Sequence, residues 1–196
     1  MASRNPKVEL LRPLPCLTIT ESADDFASLC EQVNQEISPT GVIERMYADD
    51  VIALTWDILR LRRSKTVIIN AAFLAALQGL LEQLLNRRDF AYEHEHAADN
   101  LARGWFANKK SKAQVATLLR KFGLDEGAIE AEAIRSRAED LERLDRMLAV
   151  AEVLRDKALR CIADYRQILS KQLRQAANRI LDNDVPQLVA VGKRSD

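Results

Sequence analysis

Residues 125–181 read DEGAIEAEAIRSRAEDLERLDRMLAVAEVLRDKALRCIADYRQILSKQLRQAANRIL, and this stretch decides the fold class. It contains no proline, and from Leu144 to Ile180 apolar side chains recur about every 3.6 residues, the period of an α-helix. A supercoil seam would need a strict period of about 3.5 residues. The stretch therefore predicts one long, nearly straight amphipathic helix over about 125–181, with Asp125 as its N-cap.

The apolar stripe of this helix is the surface that we expect to bind a second helix. Its central members are Leu144, Leu148, Ala151, Ala158, Ile162, Tyr165, Leu169 and Leu173. Residues 122–145 carry eight acids and three bases, whereas residues 146–181 carry eight bases and three acids. Because opposite charges attract, the order predicts antiparallel packing against a helix of matching polarity. That helix is either a second copy in a two-fold dimer or a long helix earlier in the chain.

The distribution of proline predicts a second long helix. Proline inside a helix costs about 3 kcal/mol, and residues 40–185 contain none. Apolar residues at helical spacing predict a helix over about 40–86, either continuous or broken near residues 64–66 or at Gly79. Shorter helices are expected between the two long ones, and Ser22 is the expected N-cap of a helix that ends near Glu36.

These elements predict an all-α protein. We expect an elongated helical bundle or long helical hairpin with coiled-coil-like packing, formed by a single helical domain over residues 21–183. Three prolines in residues 1–20 predict an extended N-terminal arm, and residues 184–196 are expected to form a flexible tail.

Composition points to the cytoplasm. The chain has 29 basic and 29 acidic residues, so overall charge gives no argument for a nucleic-acid partner. The longest uncharged run, Thr66–Leu81, is shorter than the roughly 20 residues that cross a bilayer, so we expect a buried core helix and no membrane partner. The three cysteines are far apart in the sequence, which is typical of reduced thiols rather than disulfides.

The sequence shows no constellation of catalytic or metal-binding residues. Glu93 and His96 form one Glu-x-x-His pair, but a di-iron site needs a second pair and the chain has only two histidines. No nucleophile elbow, phosphate loop or dinucleotide fingerprint is present. We therefore expect a protein that is not an enzyme, with no cofactor and no metal.

One patch combines basic side chains with aromatic rings, as proteins that bind single-stranded nucleic acids do. Its members are Arg103, Trp105, Phe106, Lys109, Lys110 and Lys112. The alternative is that both aromatic rings pack in the core while the bases face solvent. The patch, together with the basic end of the last helix, makes a nucleic-acid-associated protein the second functional hypothesis.

Two parts of the chain resemble known sequences. Residues 100–166, which contain LARGWF, FGLDE and LERLDR, and residues 43–63, which contain Trp56 and LRLRR, resemble small helical proteins of alphaproteobacteria. The resemblance implies a bacterial origin and assigns no activity or catalytic residue. The leading hypothesis is therefore a non-enzymatic interaction or scaffold protein that acts through self-association or partner binding.

Overall fold

The computed structural model describes residues 17–86 and 95–183, which are 89% helical and contain no strand. Within these described residues six helices occur in this order: α1 (Ala23–Ile37), α2 (Val42–Asn86), α3 (Glu95–Ala107), α4 (Lys109–Lys121), α5 (Gly127–Ser136) and α6 (Ala138–Asn183). The prediction of an all-α helical bundle is confirmed. Most of the predicted arm, residues 1–16, and the predicted tail, residues 184–196, lie outside the described residues.

The ends of α1 and α2 follow the local sequence. The Ser22 hydroxyl accepts a hydrogen bond from the Asp25 N–H at 3.1 Å, so the predicted N-cap of α1 is confirmed. Helix α1 ends at Ser38, which has a left-handed conformation with φ 46°. Helix α2 has no break at residues 64–66 or at Gly79, and its bounds agree with the predicted range of about 40–86.

The prediction of one helix over about 125–181 is wrong in its first part. The helix is divided at Arg137, where the backbone leaves the helical conformation and its N–H bonds to the Ile134 carbonyl at 3.1 Å. Helix α6 therefore begins at Ala138, and Asp125 accepts a hydrogen bond from the Gly127 N–H without being the N-cap. The division lets α5 bury Ile129 in the core that it shares with α2, α3 and α4, and Ala133 against Ala72 and Ala76 of α2.

The described residues form two compact units. Unit 2, residues 55–152, has a core in which the end of α2 packs against α3, α4 and α5. The buried members are Leu77, Leu81, Leu84, Ala98, Ala102, Val115, Leu119 and Ile129. A smaller cluster of Ala72, Ala76 and Ala133 joins α2 to α5 through small side chains. The single helical domain that we expect over residues 21–183 stays a prediction.

Glycine allows two close features of unit 2. A Cβ at Gly104 would lie 2.5 Å from the Ser111 hydroxyl oxygen, so glycine permits α3 and α4 to approach closely. Gly123 has φ +71° and ends α4 with a left-handed turn.

Unit 1 contains α1, the start of α2 and the last part of α6. Arg166 of α6 contacts Glu44 of α2, and Cys161, earlier in α6, lies beside Tyr47, later in α2. The two helices are therefore antiparallel in this unit. Antiparallel pairing also occurs in unit 2, where Lys65 contacts Asp145 at 2.7 Å and Arg62 contacts Glu152 at 2.8 Å.

Candidate interaction surface

The last part of α6 extends beyond the start of α2. Arg166 contacts Glu44, which lies in the first turn of α2, and α6 continues for another 17 residues to Asn183. At about 1.5 Å per residue this extension is roughly 25 Å long. All side chains from Lys171 to Ile180 are exposed to solvent. We call residues 167–180 the α6 extension.

Apolar side chains of the α6 extension are exposed on the face that is buried earlier in the helix. Ala158 and Ile162 are buried within unit 1, and the same face continues as Leu169, Leu173 and Ile180, which are 39%, 63% and 62% exposed. The helical period therefore continues after its intrachain partner has ended. Exposed apolar side chains on one face are typical of surfaces that bind other molecules.

The stripe that we expected to dimerise is divided by the structure. Ala151, Ala158 and Ile162 are buried within the chain, and Leu144, Leu148 and Tyr165 are partly buried. Leu169 and Leu173 are the two members that stay exposed. The part of the stripe that precedes Arg166 is thus buried or partly buried within the chain, and the dimer that we expected on the stripe stays a prediction.

Glu44 and Arg166 form an ion pair at the point where the extension begins. The Glu44 residue is 1% exposed, and its two carboxylate oxygens accept hydrogen bonds from Arg166 Nε and Nη2 at 3.2 and 3.0 Å. The same carboxylate accepts from the Thr40 N–H at 3.1 Å, and Arg166 Nη2 also donates to the Ile37 carbonyl at 2.6 Å. The pair thus joins α6 to the start of α2 and the end of α1.

The Glu44 ion pair makes stability depend on pH. Hydrogen bonds from Arg166 and then from the Thr40 N–H lower the pKa of Glu44 below its ordinary value of about 4.3. Since the folded pKa is lower than the unfolded one, the stabilisation is complete above about pH 4.3 and is lost as the pH falls through the folded pKa. We expect Glu44→Gln to lower the urea midpoint at about pH 7 and to differ less from the wild type at about pH 3.

A matched control for this prediction is Glu36→Gln. Glu36 is an exposed carboxylate on α1 and makes no ion pair with another described residue. Its urea midpoint should stay close to that of the wild type at both pH values. Equal effects of the two substitutions at about pH 7 would contradict a special role for the Glu44 ion pair.

The predicted nucleic-acid patch is brought together in part. Trp105 is partly buried against the core of unit 2, and the Phe106 ring contacts it edge to face at 4.7 Å. Lys112 Nζ lies 4.7 Å from the centre of the Trp105 ring and 3.4 Å from a Glu126 carboxylate oxygen. Arg103 pairs with Asp99 at 2.9 Å. Lys109 and Lys110 are exposed at the start of α4.

In these contacts, part of the patch already interacts with other residues of the same chain. One ring packs on the core, and two of the four bases already contact carboxylates. A nucleobase needs a free face of an aromatic ring in order to stack on it, and Lys112 lies over one face of Trp105. Phe106, 53% exposed, is the more accessible of the two rings.

An open groove between α4 and α5 offers little chemistry. Its volume is about 530 Å³, and Arg120 and Asp125 are the ionisable residues that line it. Arg120 Nε donates to the Ala116 carbonyl, and Asp125 accepts from the Gly127 N–H. The other lining residues are Gly123, Leu124, Gly127, Ala128 and Ala131, none of which is a nucleophile, acid or base.

No metal-binding group of three His, Cys, Asp or Glu residues occurs in residues 17–86 and 95–183. Glu93 of the Glu-x-x-His pair lies outside the described residues. Cys30 and Cys161 are partly buried and form no disulfide. The negative charge of a Cys161 thiolate, followed by loss of hydration, raises the pKa of the neighbouring Tyr47.

By length and composition alone, α2 could cross a membrane over Val42–Leu85, where an 18-residue window has a mean hydropathy of 1.5. The core helix of a soluble protein passes the same test. Leu77, Leu81 and Leu84 of α2 are core residues of unit 2, and 28% of the 18-residue apolar segment is buried. The cytoplasmic location and the absence of a membrane partner stay predictions.

Comparison with protein-family models, with curated proteins and with solved structures finds no match to this chain.

Proposed function

We propose that this chain acts without catalysis, by binding another protein through the α6 extension. The observation that carries the proposal is the exposed apolar face of Leu169, Leu173 and Ile180, which follows the ion pair between Arg166 of α6 and Glu44 in the first turn of α2. Apolar side chains at the centre of a contact supply most of the binding energy of protein interfaces. A helix with such a face binds in the groove of a partner or against a second helix.

The charge of the extension defines the chemistry of the partner. Residues 165–181 contain four bases and no acid, and Arg166 is paired with Glu44. The remaining bases, Lys171, Arg174 and Arg179, are exposed beside the apolar face. Two such extensions would repel each other, so a complementary surface is apolar with acidic flanks. We therefore propose an acidic amphipathic helix of another protein as the partner.

The test compares two double variants in the same segment. In Leu169→Glu/Leu173→Glu, two charges replace two apolar anchors, whereas Gln167→Glu/Gln172→Glu adds the same charges at exposed polar positions. A protein that co-purifies with the wild type from its native host is purified and titrated calorimetrically. We expect the leucine variant to weaken its binding about 100-fold or more and the glutamine variant to weaken it about ten-fold or less. All these side chains are exposed, so circular dichroism should show unchanged helix.

Two outcomes would contradict the proposal. The first is equal binding by the wild type and the leucine variant, because the apolar face would then contribute nothing. The second is that the wild type binds single-stranded oligonucleotides or anionic vesicles at low salt and the leucine variant loses this binding. Binding of oligonucleotides would favour a nucleic-acid-associated protein, and binding of anionic vesicles would favour a membrane surface as the target.

A further inference from the structure

A second exposed face of α6 lies within unit 1 and ends at the beginning of the α6 extension. It consists of Leu154, Lys157, Cys161, Asp164 and Ile168, and we call it the Cys161 face. Steps of three and four residues place all five on one side of the helix. Leu154 and Ile168 are 45% and 55% exposed, Lys157 and Asp164 are exposed, and Cys161 is partly exposed.

The two charges of this face make no ion pair within the part of the chain that the structure describes. Neither Lys157 nor Asp164 forms an ion pair with another residue of the described chain. Their neighbours differ in this respect, since Arg155 contacts Asp156 at 2.8 Å and Arg166 contacts Glu44 at 3.0 Å. The Cys161 face thus combines exposed apolar groups with one base and one acid that have no counterion among residues 17–86 and 95–183.

The order of these residues is symmetric about Cys161. Leu154 lies seven residues before it and Ile168 seven residues after it, while Lys157 lies four before and Asp164 three after. An antiparallel copy related by a two-fold axis at Cys161 would place Leu154 against Ile168 of the partner subunit. The same axis would place Lys157 near Asp164 of the partner subunit, and symmetry repeats each contact.

We propose that the Cys161 face binds a second copy of this chain in an antiparallel two-fold dimer. The charges of this face support both a second copy as the partner and the antiparallel direction of the two helices. A parallel pair would oppose Lys157 with Lys157 and Asp164 with Asp164, which is repulsive, whereas the antiparallel pair opposes base with acid twice. The proposal goes beyond the binding of another protein, because the Cys161 face and the α6 extension use different sides of the helix.

The first experiment reverses the charges and then restores them. Sedimentation equilibrium at low salt measures the dimer dissociation constant of the intact chain, whose monomer mass is 22.1 kDa. Lys157→Glu and Asp164→Lys should each weaken the dimer about ten-fold, because each variant creates two repulsive contacts. The double variant Lys157→Glu/Asp164→Lys should recover an affinity within about three-fold of the wild type.

Arg63→Glu is the matched control, since it reverses an exposed charge on α2, outside both the Cys161 face and the α6 extension. It should change the dissociation constant less than about three-fold. A double variant that remains as weak as the single variants would overturn the proposal, and so would a dimer on which neither reversal has any effect.

The second experiment cross-links the dimer at its axis. The variant Cys16→Ser/Cys30→Ser keeps Cys161 alone, and oxidation with copper phenanthroline should join two chains through one disulfide, doubling the mass of 22.1 kDa. Helices whose axes are 8–10 Å apart bring facing Cα atoms within disulfide range. A chain with all three cysteines replaced by serine should stay uncross-linked.

The outcomes separate this proposal from the proposed function. A chain that stays monomeric at all concentrations, without a Cys161 cross-link, overturns the dimer and leaves binding by the α6 extension to be judged by the leucine variant. A dimer that forms with the expected charge dependence supports the Cys161 face whether or not the leucine variant loses its acidic partner.

Discussion

Replacing Leu77 by alanine will lower the free energy of unfolding by about 3 kcal/mol, within a range of roughly 2–5 kcal/mol. Leu77 has no exposed surface and lies on α2 at the centre of the unit 2 core. Three other helices pack around this core, so the chain cannot close the cavity by moving a single side chain. The effect combines the lost burial of three carbon atoms, one methine and two methyl groups, with the cavity that remains.

Leu59→Ala is the control for this prediction. It removes the same atoms from the same helix, but the Leu59 side chain is 42% exposed and belongs to neither core cluster. We expect a loss of less than about 1 kcal/mol. Urea unfolding followed by circular dichroism measures both variants, and equal losses would contradict the placement of Leu77 at the centre of the core.

The existence of α2 could be predicted from the sequence, but the side that it buries could not. Apolar residues surround the second half of this helix, so no single face stands out from the pattern. Leu77 is fully buried and Val67 is 58% exposed, although both are large apolar residues of the same uncharged run. The choice between them depends on where α3, α4 and α5 pack, which is tertiary information.

The break before α6 was missed because no helix-breaking residue marks it. Arg137 is neither proline nor glycine, and alanine and glutamate on both sides favour a helix. One sign was present, since the 3.6-residue stripe begins only at Leu144 and does not include residues 125–143. The apolar residues of α5 instead face another core, through Ile129 and Ala133. A change in the phase of the pattern would have been the better signal of a boundary.

The stripe of α6 shows what periodicity can and cannot indicate. The pattern identified the correct face, since Ala151, Ala158 and Ile162 are buried. It continued unchanged to Ile180, although all side chains from Lys171 to Ile180 are exposed. A period identifies a face that needs a partner, but it contains no information on whether the partner belongs to the same chain. The Cys161 face was missed because its apolar members are separated by Lys157 and Asp164.

Trp105→Ala should lower the free energy of unfolding by about 2–3 kcal/mol, which is less than the 3–5 kcal/mol of a fully buried tryptophan. Trp105 packs on the core of unit 2 and is partly buried, while Lys112 lies over its ring. Its indole N–H is buried and has no hydrogen-bond partner among the described residues. Trp105→Phe keeps an aromatic ring and removes this N–H, so it should cost less than the alanine variant.

The neighbouring ring supplies the control that separates packing from nucleic-acid binding. Phe106 contacts Trp105 but is 53% exposed, so Phe106→Ala should cost less than about 1.5 kcal/mol. If the patch bound single-stranded nucleic acid, Phe106 would be the ring more accessible to a nucleobase. Phe106→Ala would then lose nucleic-acid binding while keeping its stability. Unchanged stability in Trp105→Ala together with lost oligonucleotide binding would contradict the packing role. Two results together would support a packing role for Trp105. Only Trp105→Ala would lose stability, and the wild type would bind no oligonucleotide at low salt.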